Sequence, residues 1–599
     1  MTNDISLKGF WPPEAKITVD SGFSTKVGFF SFIWYNRLMK QTKIIYILVL
    51  ILGLAITVNS KVEKIDRVDR LFRQWDRQDS PGCALAIIKE GKIIYKKAYG
   101  MADLEHDVPL TPGSVLNIAS NTKQFTAFAI ALLAEEGKLS FDDDIRKYFP
   151  EFPDYGHTIT IGHLLYHTSG IREYAMLLLL AGKRWINHYP LEDIMELIIR
   201  QKHLNNIPGD EHIYSNSGYF LLGLLVQRVS GKSLGDFFRQ HIFEPLGMKH
   251  TYFYDDINRI VKNRAIGYSP GRNGGYVLEI SLMLGDGGFG ILSTLEDLFR
   301  WDQNFYHNKL GKGSREIIKT MLTPGVLNNG KKLDYALGLV VKKYKGLTMV
   351  SHGGGWSGFR AEIIRFPEQK FSVICLANLV TIDPYNLAVR VADIYLADQF
   401  KEKPRTSKKV EAISLSPAHP EDKAGSWKNP VSGNIWTLSI SPPGDKLDVQ
   451  STSGSMFQLV PINNTQFKSV GAGFQFLVRF IKTDPSGPLK MEITLKGYDP
   501  VICEPVRIPT FKPGPLIEYA GNYYSEELDT VYKLFIKDQK LIVKVPGLHL
   551  DMPMEPVIKD EFRTLGPYIK FERNKAGKIT GFNISTDGIK NLFLTKTNS

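Results

Sequence analysis

At 599 residues, 43% hydrophobic and 23% charged, the chain is too long for one ordinary domain and apolar enough to fill several cores. Its 74 lysines and arginines against 62 acids leave a formal charge of +12; this charge forms no basic block, so it gives no support to nucleic-acid binding and allows at most attraction to an anionic envelope surface. Three cysteines, Cys83, Cys375 and Cys503, exclude a disulfide framework.

In chain order, the first feature is the apolar run Ile44 to Val58, with Arg37, Lys40 and Lys43 before it and Asn59-Ser60 after it. Basic flank, apolar stretch and small-residue ending are the pattern of an export signal, and 15 residues are short for a membrane span. Because Met39 would head an ordinary signal peptide, residues 1–38 read as a start assigned too early and 39–60 as signal peptide or anchor. If 1–38 are translated, the run is a single-span anchor with its basic side inside. The protein is then periplasmic or secreted, or membrane-anchored with its main domain outside the cytoplasm.

Residues 61–402 alternate between sheet and helix signals. Ile65, Val68, Leu71 and Trp75 give Val62 to Arg77 a helical spacing. Cys83 to Lys89 and Lys92 to Tyr99 form apolar runs around Glu90-Gly91; Phe359 to Phe366 and Phe371 to Leu379 do the same around Pro367-Glu368. Between these hairpins the pattern is mostly helical, strongest over Thr122 to Glu136, and another helix spans Leu387 to Phe400. The expected architecture is α+β, one antiparallel sheet flanked by helices.

After a charged, proline-containing linker at 403–422, strand signals take over. Ala424-Gly425-Ser426-Trp427 recurs as Ala520-Gly521-Asn522-Tyr523. Trp436 to Ile440 recurs as Tyr532 to Ile536, Lys446 to Val449 as Lys540 to Val543, and Phe467 as Phe562. This repeat predicts two small antiparallel β-barrel domains at 423–503 and 516–599, separated by a linker at 504–515 with four prolines.

Three short motifs carry the chemistry: Ser120-Asn121-Thr122-Lys123, Tyr214-Ser215-Asn216 and His352-Gly353-Gly354-Gly355. A serine hydroxyl needs a positioned base, and a lysine one helical turn on can reach it, provided the amine is neutral when it accepts the proton. Tyr214 can share that proton and pass it to a leaving group, while Asn216 orients the lysine and a substrate amide. His352 and Gly354 line the opposite wall, where glycines let a strand approach the substrate. The backbone N–H of Ser120 is one expected donor of an oxyanion hole.

Other matches are discounted. Gly231-Lys232-Ser233-Leu234-Gly235 has the spacing of a nucleophile elbow but lies between two helical patterns, and Val226 stands where a phosphate loop needs glycine. Tyr306-His307-Asn308 repeats Tyr-x-Asn at the end of the amphipathic run Leu295 to Phe305 and reads as a helix terminus. His163 and His167 lack a third ligand and read as packing and capping residues.

The ordered motifs, with Pro81 to Ala86, Asn117 to Ser120, Leu164 to Gly170, Phe243 to Met248 and Gly354 to Phe359, resemble the class C β-lactamase family of penicillin-recognising serine hydrolases. The resemblance spans about residues 65 to 400. It implies Ser120 as nucleophile, Lys123 and Tyr214 sharing the base role, Asn216 in positioning and His352 on the far wall, with no metal or organic cofactor. It also implies the N–H of Gly355 as the second oxyanion donor beside that of Ser120. It would place the strands of Cys83 and Cys375 side by side, where one bridge could form in an oxidising compartment. Penicillinases and carboxypeptidases of that family usually carry lysine where His352 stands, and that cation holds the substrate carboxylate. Two barrels after such a domain resemble the layout of D-aminopeptidases. The expectation is an exported hydrolase of amide or ester bonds, with small peptides containing D-amino acids as substrates. An esterase or weak β-lactamase is the alternative within the class, and a non-catalytic envelope binding protein the alternative outside it.

Overall fold

The computed structural model describes residues 62–597 except 185, 272, 401–422, 430–434, 442–445, 452–455, 464, 471–475, 483–486, 496–500, 507–514, 549 and 565. The early start, the signal or anchor segment, the first linker and most of the second therefore lie outside the described residues. The chain divides into two compact units, Met1–Asp69 and Arg70–Ser599. In the first, residues 62–69 are helical; in the second, the turn Arg73–Trp75 ends the helical pattern short of Arg77.

The second unit is built on six antiparallel strands: β1 (Cys83–Lys89), β2 (Lys92–Tyr99), β3 (Val340–Tyr344), β4 (Leu347–Trp356), β5 (Phe359–Phe366) and β6 (Phe371–Ala377). They lie in the order β3-β4-β5-β6-β1-β2. β6 is buried along its whole length and β1 up to Lys89, which explains why both are continuous apolar runs. β2 lies at the edge and carries three lysines, a composition that discourages pairing with other chains. Cys375 stands opposite Leu85 and Cys83 opposite Ala377, so the two strands are neighbours but the two cysteines are diagonal. Both are buried free thiols, and the Cys83 thiol, pushed up by burial, also interacts with that of Cys375.

Four helices frame the serine motif and the wall opposite it: α1 (Thr122–Glu135), α2 (Tyr174–Leu180), α3 (Asn216–Ser230) and α4 (Pro384–Tyr395). α1 is buried from Thr122 to Leu133, so it is apolar almost all round. α4 covers β5 and β6. It starts earlier than the apolar periodicity indicates because Asp383 caps it, accepting from Asn386 N at 3.0 Å, and Pro384 fits the first turn.

The discounted motifs fall in turns and helix ends. Gly231 ends α3 in a left-handed conformation, and Ser233 caps the next helix, Leu234–Phe238. Tyr306 follows directly on the helix Leu295–Asn304 and its cap Phe305.

Each repeat closes into an eight-stranded antiparallel barrel. In the first, the strand from Gly425 pairs with the last strand at Ser426 and Val506; in the second, Tyr523 pairs with Lys596. Phe467 and Phe562 are fully buried in the fifth strand of their barrels. The last strand of the first barrel runs Val501–Val506, beyond the expected boundary at 503. Closure requires it to meet the first strand, with Pro505 opposite Trp427, so the proline-rich separator begins later than its composition suggests. The first barrel has its own core, whereas the second shares one with the sheet-and-helix region. There the Tyr532 hydroxyl donates to Leu180 O at 2.7 Å. A Cβ on Gly182 would stand 1.6 Å from Pro546 O, so the two backbones touch.

Candidate active site

Ser120 lies in a tight 3₁₀ turn, Ala119–Asn121, that leads into α1. Ala119 immediately before it has φ +47°, a left-handed conformation that costs a non-glycine residue about 1–2 kcal/mol. Asn117 Oδ1 holds it there by accepting from Ala119 N at 2.8 Å. Lys123, in the first turn of α1, lies three residues on, close enough for its side chain to reach Ser120.

Lys123 is fully buried, with Nζ 3.3 Å from Ser120 Oγ, 2.7 Å from Asn216 Oδ1 and 2.9 Å from Gly288 O. Two of these partners are oxygens that can only accept. In a neutral amine they take both N–H bonds, and the lone pair is left for the serine hydroxyl. The loop Asp286–Gly290 supplies the carbonyl: a Cβ on Gly288 would stand 3.4 Å from the lysine nitrogen. Asp286 fixes the loop, accepting from Gly288 N at 2.7 Å and from Tyr174 Oη. Burial pushes the Asp286 carboxyl up to about 6, although those hydrogen bonds and Lys123 pull it down.

Tyr214 is exposed beside this group, and the lysine nitrogen sits 4.9 Å from its ring centroid. Lys123 thus meets the face of Tyr214, and none of the hydrogen bonds at Ser120 or Lys123 goes to the Tyr214 hydroxyl. His167 backs the ring at 4.2 Å and accepts from Ser215 N at 3.1 Å, so its packing role steadies the Tyr-Ser-Asn turn. His163 is a cap, its Nδ1 accepting from Thr160 N at 3.1 Å.

The opposite wall is β4. A Cβ on Gly354 would stand 2.4 Å from Ile118 O and 3.1 Å from Ser120 N, so only glycine lets this strand press on the serine turn. Behind it, Glu362 Oε2 occupies the space of a Gly353 Cβ, 2.8 Å away. The Ser357-Gly358 turn makes Trp356 and Phe359 the closing pair of a two-residue hairpin. Gly355, opposite Arg360, then takes the alternate position, with its N–H turned away from β5. β3 pairs with β4 only as far as Ser351. The Gly355 N–H therefore faces an edge that no described strand covers, as an oxyanion donor must.

His352 is buried. Its Nδ1 lies 2.6 Å from Gly353 O, which only accepts, so Nδ1 holds the proton and Nε2 accepts from Tyr335 Oη at 3.0 Å. Burial, then the charge of Lys123, lowers its pKa to about 4, and it is neutral at physiological pH.

Sequence reasoning missed Glu173, Gly288 and Tyr335. The glycine-dense run Gly285 to Gly290 was a visible signal for the second; Glu173 and Tyr335 stand in segments with no motif of their own.

Glu362 yields a stability prediction. It is buried with Oε1 unpartnered, and burial pushes its carboxyl up to about 8. A folded pKa above the unfolded one means that stability is complete below about 4.5 and falls as pH rises towards 8. Glu362→Gln is expected to flatten this dependence and to unfold at a higher temperature than wild type at pH 9. Thermal unfolding at pH 5, 7 and 9 checks it; parallel profiles for the two proteins would refute it.

Known proteins resemble this chain in sequence and in fold. The beta-lactamase family model matches residues 68–395. The chain is 32% identical over 381 residues to penicillin-binding protein 4* of Bacillus subtilis, covering 59% of this chain and 82% of that protein. It is 26% identical over 491 residues to a D-aminopeptidase of Cereibacter sphaeroides, covering 82% of this chain and 87% of that protein. Among solved structures, the octameric penicillin-binding protein homologue from Pyrococcus abyssi matches in fold, with TM-score 0.52 and 24% identity over 75% of this chain and all of that one.

Proposed function

The chain belongs to the beta-lactamase family, and from that premise we propose that it is an exported serine hydrolase that forms an acyl-enzyme at Ser120 on small amide substrates built from D-amino acids. The observation that carries the reading is the Lys123 amine, 3.3 Å from Ser120 Oγ, with its other two partners obligate acceptors. The hydroxyl proton moves to Nζ as Oγ attacks the carbonyl carbon. The N–H groups of Ser120 and Gly355 hold the oxyanion, and the proton returns to the leaving amine as the tetrahedral species collapses. Water, activated by the same amine, then releases the acyl group.

The substrate class rests on His352. Where the family's penicillinases and carboxypeptidases place a lysine for the substrate carboxylate, this chain has a buried neutral imidazole already bonded at both nitrogens. Recognition of a carboxylate at that wall would lack its cation. This favours amides and esters with no carboxylate there, in line with the similarity to a D-aminopeptidase over 82% of this chain. Export rests on the run Ile44 to Val58.

Both parts are tested on protein expressed from the full reading frame in a bacterial host. A mature N-terminus near Lys61 in the envelope or medium supports export, and full-length chain in the cytosol overturns it. Purified protein is then given D- and L-amino-acid amides, short-chain esters and a chromogenic cephalosporin. Preferential turnover of D-amides is expected; turnover of esters alone would defeat the peptidase reading, and turnover of the cephalosporin alone would make the chain a β-lactamase.

A further inference from the structure

The side chain that decides how Asn216 faces the lysine is Glu173. Its Oε2 accepts the backbone N–H of Asn216, and its Oε1 accepts Asn216 Nδ2 at 2.9 Å. A carboxylate can only accept, so Nδ2 must turn to Glu173 and Oδ1 to Lys123 Nζ. Flipping the amide would set oxygen against carboxylate and lose both bonds. Glu173 is itself buried and caps α2, accepting from Ala175 N at 3.3 Å.

What seats Glu173 comes from the second barrel. Its backbone N–H donates at 3.0 Å to the carbonyl of Gly588, in the turn joining the last two strands, Ile579–Thr586 and Ile589–Lys596. Asn205 grips the same turn, with Nδ2 2.7 Å from Gly588 O and Oδ1 accepting from Lys590 N at 2.7 Å. Gly588 has φ +71°, and a Cβ there would stand 2.6 Å from Glu173 Cβ, so the turn lies directly against the residue. Next to Glu173, the fully buried Arg172 pairs with Glu527 at 2.5 Å and donates to Lys590 O at 2.9 Å. A buried pair breaks about even on stability but penalises any other register of the barrel against the helices.

We propose that the second barrel is a working part of the acyl-transfer site: its Gly588 turn seats Glu173, and Glu173 is the positioning residue that fixes Asn216 and, through it, the Lys123 amine. This rests on Ser120 and Lys123 acting as nucleophile and base.

The experiment measures acylation by a fluorophosphonate probe in rapid-quench mode. It uses the full chain with Glu173→Gln, Gly588→Ala, Asn205→Ala, and Glu173→Gln combined with each of the other two. A misplacement of the amine by a fraction of an ångström is expected to slow the limiting acylation rate about 10- to 100-fold in each single variant. The half-saturating probe concentration should be unchanged. Because all three act through one contact, each double variant should be no slower than its slower parent. Asn205→Ala leaves the turn's own backbone intact, so it supplies the cycle if Gly588→Ala does not fold. Tyr532→Phe, which loosens the same interface away from Gly588, should acylate at the wild-type rate. Wild-type rates in Glu173→Gln or Asn205→Ala, multiplicative effects in the doubles, or an equal loss in Tyr532→Phe would each overturn the proposal. A wild type that is not labelled at Ser120 at all would bring down the hydrolase reading, a result distinct from these.

Discussion

Ser120→Ala is expected to abolish covalent labelling by the fluorophosphonate probe and to lower kcat/KM for a turned-over amide by about 10⁴- to 10⁶-fold, the scale on which serine hydrolases lose activity with their nucleophile. Intact-protein mass reads the first and steady-state kinetics the second. The side chain is small and part-buried and only the hydroxyl is removed, so thermal stability should change by less than about 1 kcal/mol. An adduct of the same mass on the variant would place the nucleophile elsewhere. Retained turnover without labelling would replace the acyl-enzyme with direct attack by water. Either result would break the link between the serine turn and the reaction.

Lys123→Met keeps an unbranched, flexible side chain, one atom shorter, and removes the amine. The expected loss of activity is about 10²- to 10⁴-fold, the usual contribution of a general base. It should also leave Asn216 Oδ1 and Gly288 O facing a methyl group. Each buried acceptor deprived of its donor costs about 1–3 kcal/mol, so this variant should melt earlier than wild type, unlike Ser120→Ala. Tyr214→Phe is the informative comparison. Its ring faces the lysine nitrogen and the serine has Lys123 within 3.3 Å, so this change should cost far less activity than Lys123→Met. Equal losses would assign proton transfer to the phenol as well. Initial rates at saturating substrate and chemical denaturation of the three proteins decide between these outcomes.

A cluster of aromatic rings underlies this expectation. Tyr335, His167 and His352 pack around Tyr214 from behind, with ring centroids 4.2 to 6.4 Å away. That shell backs the Tyr214 ring, whose face the lysine nitrogen meets, while the Gly288 and Asn216 oxygens hold the amine from another side. A low local dielectric strengthens each of these contacts, and the amine is fixed before substrate arrives.

Features written in neighbouring residues could be read without a structure. Ser120 and Lys123 are three apart, so the helical turn that joins them brings nucleophile and amine together whatever else folds around it. The hairpins at Glu90-Gly91 and Pro367-Glu368 were legible because an apolar run reversing at a turn pairs with itself. The two barrels were legible because the chain repeats its own pattern, with Trp427 and Tyr523 opening each copy. His352 and the glycines after it marked a strand that must approach something closely. The amino-acid order thus carried the ordered motifs, the sheet and the tandem barrels.

What fixes the reactive amine was decided only by folding. Gly288 lies 165 residues from Lys123, and Glu527 lies 355 residues from Arg172. The Gly588 turn meets Glu173 where the second barrel packs on the helices, 415 residues further along the chain. Such contacts leave no period and no local motif, because each partner needs only one oxygen or one N–H at the right point in space, and many sequences supply that. The orientation of Asn216, the neutral and enclosed state of His352, and the seating of the barrel against α2 are consequences of packing between distant segments, and no segment carries them alone.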